Sequence, residues 1–246
     1  QALGNGTNVV VNADVSSTSG NLSVIAKGSV TFAADADLRT TSTGASSGSI
    51  DVWAEAGAIT QHATSLITST GASATARLRA GTDVTVGDIV LTSGVVSITA
   101  VAGSILDADQ LDPDQDVTAS GLRLAAGTAI GTATNHLETT VGTISASAAN
   151  GGIWLLEADA LTVGDVGLSV NRVLSDTTTS TSGSTDATQS DIRTTGGNGS
   201  IILRTAAGSI TLNNGTAPGA SADTRAISAH GTGNVLIEAQ GASSDV

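Results

Sequence analysis

The sequence is poor in the residues that fill most globular cores. It has no cysteine, methionine or tyrosine, one phenylalanine and two tryptophans, so that aromatic residues make up only 1% of it. The absence of cysteine excludes disulfides and thiolate metal sites. Large rings and methionine usually fill the irregular gaps of a compact core. The apolar mass must instead come from valine, isoleucine, leucine and alanine, which favours many thin, regular layers.

Positive charge is also scarce. Lysine and arginine together number 9 against 22 acidic residues, and the formal net charge is −13. Binding to nucleic acid by counterion release needs a basic face, so we expect neither nucleic acid nor an anionic membrane as a partner. A run of about 18 apolar residues, as membrane insertion would need, does not occur. The first residues do not resemble a signal peptide, and the pattern runs to both ends, which predicts a fragment of a longer chain.

The chain is rich in a repeated phrase: an apolar residue, then threonine or serine, then glycine. The phrase ends at five glycines, Gly44, Gly71, Gly94, Gly121 and Gly142. Five-residue segments of alternating character recur between the glycines, at 50–54, 96–100, 144–148 and 201–205. Period-two alternation of this length is typical of half-buried strands. A turn and a second short strand follow each segment and bring one inward residue, namely Ile59, Ile105, Ile153 or Ile210.

Strands this short cannot bury their apolar faces alone, but equivalent strands of successive repeats can stack into a continuous core. We therefore predict an all-β fold, a parallel β-helix (β-solenoid) that forms one domain over residues 1–246. It would have about nine or ten coils of about 21–28 residues each. The residues expected to face inward and to carry stability are Ile50, Val52, Ile59, Val96, Ile98, Ile144, Ile153 and Ile201.

Two segments stand out against this pattern. The phrase GSIDVWAEAGAIT at 48–60 returns as GSIILRTAAGSIT at 199–211. We interpret the shared positions as the corner glycines and inward residues of the same part of a coil. Residues 175–191, by contrast, are polar and low in complexity. We predict that they form a looped-out insertion between coils, because lengthening a loop costs little entropy. A solvated loop is the simpler interpretation, and a binding protrusion is the alternative.

The phrases GDIVLTSG, GSILDAD and DVTASGLRLAAGTAIGTATNHLETTVG resemble the repeat region of filamentous-haemagglutinin-type exoproteins. These are the large adhesins of two-partner secretion in Gram-negative bacteria. The resemblance implies a right-handed β-helical shaft that is exported across the outer membrane and displayed at the cell surface, although no counterpart of the family's secretion domain is visible. It implies a non-catalytic structural segment. The partners expected are neighbouring coils of the same or identical chains, stacked end to end, and contacts with host cells, matrix or polysaccharide.

The densest acidic stretch, DADQLDPDQD, is the one candidate for a cation. Asp112, Asp114 and Asp116 match the D-x-D-x-D opening of a calcium loop. The match then fails, since Val117 stands where the loop has glycine and Arg123 where it has glutamate. We therefore expect a solvated acidic corner and no cofactor, with calcium at these three aspartates as the alternative.

Two other functions compete with the shaft. A polysaccharide-binding or polysaccharide-degrading β-helix would need paired carboxylates or exposed aromatic rings. The candidates are the carboxylates Asp83, Asp88, Glu138 and Asp165 and the rings Trp53, Trp154 and Phe32, but their spacing pairs no carboxylates. The histidines His62, His136 and His230 fall at different phases of the repeat. We predict no catalytic, cofactor-binding or metal residues. The second competitor is an ice-binding solenoid, since threonines recur at comparable phases of RTTSTG, ITSTG, LETTVG and IRTTGG.

Overall fold

The computed structural model describes residues 1–2, 4–41, 48–109, 114–217 and 224–246. Within these ranges the chain consists of strands, turns and bends, and no residue is helical. The described residues accordingly offer no helix that could cross a membrane. The prediction of an all-β fold is confirmed.

The described strands range from two to thirteen residues, and most are short. In chain order they are β1 (Val9–Val11), β2 (Val15–Ser17), β3 (Leu22–Ala26), β4 (Val30–Phe32), β5 (Leu38–Thr40), β6 (Ser49–Ala54), β7 (Ile59–Thr60), β8 (Leu66–Ser69), β9 (Thr75–Ala80), β10 (Val84–Val86), β11 (Asp88–Ala100), β12 (Ile105–Asp107), β13 (Val117–Ala126), β14 (Leu137–Ala148), β15 (Ile153–Glu157), β16 (Leu161–Val163), β17 (Val166–Ser169), β18 (Arg172–Val173), β19 (Thr179–Ser180), β20 (Thr185–Gln189), β21 (Ile192–Thr194), β22 (Ile201–Thr205), β23 (Ile210–Leu212), β24 (Ile227–Ser228) and β25 (Val235–Ala239).

The strands pair in parallel with strands from the next repeat, which arranges them in three rows. The first row runs through β1, β4, β7, β10 and β12 and continues to β15, β22 and β25 through single bridges at Ile130. One position of this row is therefore occupied in turn by Val9, Val30, Ile59, Val84, Ile105, Ile130, Ile153, Ile201 and Val235. We call each step along a row a rung.

The second and third rows follow the same order of rungs. The second row joins β2, β5 and β8 to the first halves of β11, β13 and β14. The third row joins β3, β6 and β9 to the second halves of those three long strands. This parallel, repeat-like architecture is consistent with a β-solenoid.

The core lies between the rows and is aliphatic. All eight residues that the sequence predicts to face inward are fully buried, so that prediction is confirmed. The third row also contains a column of small residues at its end, Ala26, Ala54, Ala80, Ala100, Ala126 and Ala148. Each of these alanines is buried. A side chain of this size lets the chain turn tightly toward the first row of the next rung.

Glycine recurs at the corners because successive rungs approach each other closely there. A Cβ atom placed on Gly81 would lie 2.6 Å from the carbonyl oxygen of Glu55, one rung earlier. A Cβ on Gly127 would lie 2.4 Å from the carbonyl oxygen of Val101. Real Cβ atoms do not come this near to backbone oxygen, so the stacking itself selects glycine at these positions.

The two similar phrases do not occupy the same part of a coil. Ile50 lies in the third row and Ile59 in the first. In the later phrase the order is reversed, because Ile201 pairs with Ile153 of the first row and Ile210 pairs with Leu161 of β16, which continues the third. Their inward positions agree with the prediction, but the assignment to equivalent places is wrong. Period-two alternation is the same on every row, so it cannot tell one row from another.

A long hairpin interrupts the third row. β14 pairs with β16 through Thr143 and Ile144 and then with β21 from Ala146 onward. Between β16 and β21, β17 pairs antiparallel with β20, and β18 with β19. We call residues 166–189 the hairpin; it contains most of the polar segment 175–191. The structure therefore gives this segment strands, and it places their side chains against earlier rungs, as described next.

Candidate functional site

The hairpin lies along the outer face of the third row and reaches back to the first rung. Its tip is near the start of the chain, where the Val173 amide donates to the Ser23 hydroxyl over 2.9 Å. Near its base, Gln189 Nε2 donates to the Leu124 carbonyl over 2.8 Å, and Arg123 Nε donates to the Ala187 carbonyl over 3.1 Å. The hairpin thus extends over five successive strands of the third row, which is four strand spacings or roughly 19 Å.

Buried ion pairs hold the hairpin to this face. Asp51 receives Arg77 on one oxygen at 3.1 Å and Arg172 of the hairpin on the other at 2.5 Å. Arg77 also donates to Asp186 of the hairpin at 3.1 Å, and Asp186 accepts the Ser97 hydroxyl at 2.7 Å. All five side chains are buried. Because charged groups lose their hydration here, the pairs hold only if every partner stays in place.

Asp51, Arg77 and Ser97 occupy successive rungs of one outward column, which β6, β9 and β11 bring into register. Alternation predicts this column to face outward, and it does, but the hairpin covers it. Alternation does not indicate this cover, because Asp186 lies 109 residues beyond Arg77 along the chain.

Trp53 belongs to the neighbouring outward column and is half-buried. The Arg172 guanidinium lies over its ring, 4.3 Å from the centroid, in a cation–π contact. Trp154 is likewise half-buried, and Phe32 is buried. None of these rings therefore forms the open stacking platform that a sugar-binding surface would offer.

The acidic corner differs from the predicted calcium loop. Asp112 lies outside the described residues, Asp114 is exposed and Asp116 is buried. Asp116 is grouped instead with Asp107 of β12 and Glu138 of β14, whose ligand oxygens all lie within 4.8 Å of one another. Rung stacking brings these three together, and neither their spacing in the sequence nor the D-x-D-x-D pattern indicated it.

Of the three carboxyl groups, that of Asp116 is buried, and those of Asp107 and Glu138 are half-buried. The Glu138 amide donates to Asp116 over 2.7 Å, and Asp116 also bonds to Asp107 through the side chains. Burial, followed by repulsion from Asp107, holds the pKa of Asp116 well above its ordinary value. Such a group can retain a proton between two carboxylates at neutral pH, and three carboxylates are also a common part of a divalent-cation site. Among the described residues it is the one group of three acidic or histidine side chains close enough for that chemistry.

A second buried carboxyl group, Glu157, lies inside the core. Its oxygens accept the Thr139 hydroxyl at 2.7 Å and the Val141 amide at 3.0 and 3.2 Å. β14 pairs with β15 only as far as Thr139. Beyond that point, the carboxyl group of Glu157 accepts the hydrogen bond of the Val141 amide. Burial raises the pKa of Glu157 to about 8. The phase of IWLLE already places this residue inward with Ile153, a signal that the sequence analysis overlooked.

The remaining candidates are local. Asp83 caps a turn by accepting the Ser104 amide at 2.7 Å, and Asp165 accepts the Ser190 and Thr216 hydroxyls. His62 bonds to the neighbouring Thr64 at 3.1 Å. His136 and His230 belong to no group of converging ligands among the described residues. These residues stabilise corners.

The recurring threonines divide between the core and the surface. Thr68 and Thr140 are half-buried in one outward column of the second row, which Val90 and Thr118 occupy between them. Thr40, Thr139 and Thr194, from three of the four phrases, are buried. Thr40 donates to the Ser69 hydroxyl over 2.7 Å, and Thr194 donates to the Gly199 carbonyl over 2.8 Å. Inward threonines of this kind satisfy buried polar atoms and are not available to an outer ligand.

Comparison with protein-family models, with curated proteins and with solved structures gives no match to this chain.

Proposed function

We propose that this chain is a non-catalytic shaft segment, a right-handed parallel β-helix that belongs to a large bacterial adhesin of the secreted or cell-surface kind. The observation that carries the proposal is the unbroken parallel register of the first row, from Val9 through nine rungs to Val235. A stack of this kind grows along one axis by adding repeats, so it can separate a binding region from the cell without taking part in binding. Right-handedness follows from the strong preference of parallel crossovers for that hand.

The charge and the buried side chains support the same function. A net charge of −13 keeps neighbouring rods apart and soluble. The buried ion pairs and the hairpin brace the outer face, and the carboxyl groups described above are engaged in corners or in the core. Export across an outer membrane and display at the surface are part of the proposal and follow from the sequence resemblance.

Further coils, in the same or an identical chain, are the partners proposed for the ends. β1 pairs only with β4, and β25 only with β22, among the described strands. Val10 and Val15 at one end and Val235 and Leu236 at the other are exposed apolar residues. Unpaired strand edges of this type accept further strands in the same register.

Single-molecule stretching between residues 1 and 246 tests the shaft directly. We expect the rungs to detach one after another from the ends, each step releasing a length of chain close to one repeat. Elongation in a single step at low force would contradict a load-bearing stack. Cleavage of neutral or acidic polysaccharides by the same preparation would favour the degrading β-helix instead.

A further inference from the structure

Basic residues are concentrated on the face that carries the hairpin. Five of the 9 lysines and arginines belong to the third row's outward columns or to the hairpin, namely Arg77, Arg79, Arg123, Arg172 and Arg193. Two carboxylates, Asp51 and Asp186, take part in their ion pairs. The face therefore carries positive charge in excess, although the molecule as a whole is strongly acidic.

Two of these arginines have no anionic partner. Arg79 and Arg193 take part in none of the ion pairs of the described residues. Nε of Arg193 is buried without a hydrogen-bond partner. Burial is the largest cause that lowers the pKa of Arg123, and the positive charge of the nearby Arg79 lowers it further. The nearby Asp186 acts on Arg123 in the opposite direction, whereas Arg79 has no carboxylate partner among the described residues and can attract an external anion.

A groove of about 310 Å³ lies beside the hairpin, and of these two arginines Arg79 lines it. Arg79 lines one end, and Thr99, Ala125 and Ser147 form its floor on the next three rungs. Arg193 is paired with Ser147 on the rung after that. Four rungs separate the two arginines, or about 19 Å at ordinary strand spacing. The groove is thus straight, is parallel to the stacking axis and has small side chains along its floor.

We propose that this groove binds a linear acidic polysaccharide, one carboxylate of which pairs with Arg79, while Arg193, one rung beyond Ser147, adds positive charge past the end of the groove. Guanidinium groups bind carboxylates through two parallel hydrogen bonds. The hydroxyl group of Ser147 supplies a further hydrogen bond to a sugar hydroxyl, whereas the buried Thr99 hydroxyl already accepts from Arg123 at 3.3 Å. The small floor lets sugar rings approach the sheet. The proposal goes beyond the shaft function and does not depend on it.

The structure disfavours other extended polymers. A peptide cannot add a strand here, because the floor lies mid-sheet and its backbone is paired on both sides. Single-stranded nucleic acid is held largely by stacking on aromatic rings, and the ring next in this column, Trp53, is covered by Arg172. A neutral glycan would lack the same platform. Charge pairing at Arg79 is what remains, and at physiological salt more distant acidic residues are screened beyond about 8 Å.

Binding of an oligogalacturonate of about ten residues, measured by calorimetry on the whole chain, tests the proposal. The wild type should bind it, and the methyl-esterified form of the same oligosaccharide should not bind. Arg79→Gln should weaken binding about tenfold, as expected for the loss of one charge-assisted pair. The matched control is Arg39→Gln, which removes the same charge from β5 in the second row, outside the groove, and should leave binding unchanged.

A second pair of variants covers the case in which Arg79→Gln fails to fold. Ala125→Glu places a carboxylate on the floor and should abolish binding, whereas Ala125→Gln, of the same size, should retain most of it. Four results would overturn the proposal: no binding by the wild type, equal binding of the esterified ligand, equal losses in the variants at positions 79 and 39, or tighter binding of a short nucleic acid.

Discussion

Buried carboxyl groups are the residues through which pH acts most strongly on this protein. Glu157 has no exposed surface and is held by Thr139 and Val141. Burial is the first cause of its raised pKa, and the hydrogen bonds oppose it only in part. Removing a charged carboxylate from water is costly even when it accepts hydrogen bonds. The neutral form is therefore favoured in the folded state at neutral pH.

The sign of the pH effect follows from linkage. The pKa of Glu157 rises from 4.5 to about 8 on folding, so between these values the folded state binds more protons than the unfolded state. The free energy of unfolding must then fall as the pH rises through this interval. Between pH 5 and pH 9 the free energy of unfolding should fall by roughly 2–4 kcal/mol less in Glu157→Gln than in the wild type. Urea unfolding at both pH values measures this difference. The raised pKa of Asp116 has the same sign, so a smaller slope should remain; an unchanged slope would contradict the assignment.

Inward aliphatic residues set the stability of the stack. Ile98 is fully buried in the third row between Leu78 and Leu124 of the adjacent rungs. We expect Ile98→Ala to lower the free energy of unfolding by about 2–5 kcal/mol, because it leaves a cavity among close-packed neighbours. Val101→Ala is the matched control, since Val101 is 50% exposed, and it should change stability by less than about 0.5 kcal/mol. Chemical denaturation of the two variants gives the comparison.

Sequence periodicity predicts these inward residues well because a strand that is buried on one face has apolar residues at every second position. It predicts polar inward residues less well. Glu157 and Thr139 have the phase of core residues, but their side chains suggest solvent. Only the stacking, which leaves the Val141 amide directed at Glu157, explains why a carboxyl group is retained there.

At the scale of elements, the hairpin depends on partners that lie far away in the sequence. We expect Asp186→Ala to leave Arg77 and Ser97 without one of their partners and to cost about 3–5 kcal/mol, as is usual when one member of a buried ion pair is removed. Hydrogen exchange should show faster exchange of the Val170 and Ser184 amides than in the wild type.

The matched control is Asp176→Ala at the tip of the same hairpin, where the carboxylate is exposed and bonds only to Thr178. This variant should leave hairpin exchange and stability nearly unchanged. If Asp186→Ala behaved like the control, the ion pairs would not be what fastens the hairpin.

The polar composition of residues 175–191 predicts a looped-out insertion, whereas the structure gives part of this segment antiparallel strands that pack on earlier rungs. Serine, threonine and aspartate form a solvated loop or a braced hairpin with equal ease. Asp51 and Arg77, whose charges occupy an outward column of the third row, make the hairpin the observed alternative. A charged column of this kind is ordinary on an exposed sheet, so its meaning emerges only once Asp186 and Arg172 are seen on it.

At the scale of the whole molecule, the repeat length predicts nine or ten coils, and the described strands share a parallel, repeat-like arrangement. The predicted nine or ten coils compare with nine positions along the first row. The assignment of phrases to rows failed, as Ile50 and Ile201 show, since all rows share one alternation. The groove and the carboxyl group cluster were equally hidden, because both arise from residues that meet only when rungs stack.

The central claim, that successive repeats stack as rungs of one β-helix, is tested most directly by distances between spin labels. The chain has no cysteine, so labels can be placed in pairs at outward positions of the first row, Thr31 with Ile202 and Thr31 with Leu236. Six and seven rungs separate these positions. Strand spacing predicts backbone separations of about 29 and 34 Å, increasing by one rung spacing from the first pair to the second. Separations that do not increase with rung number, or that differ widely from these values, would contradict the account.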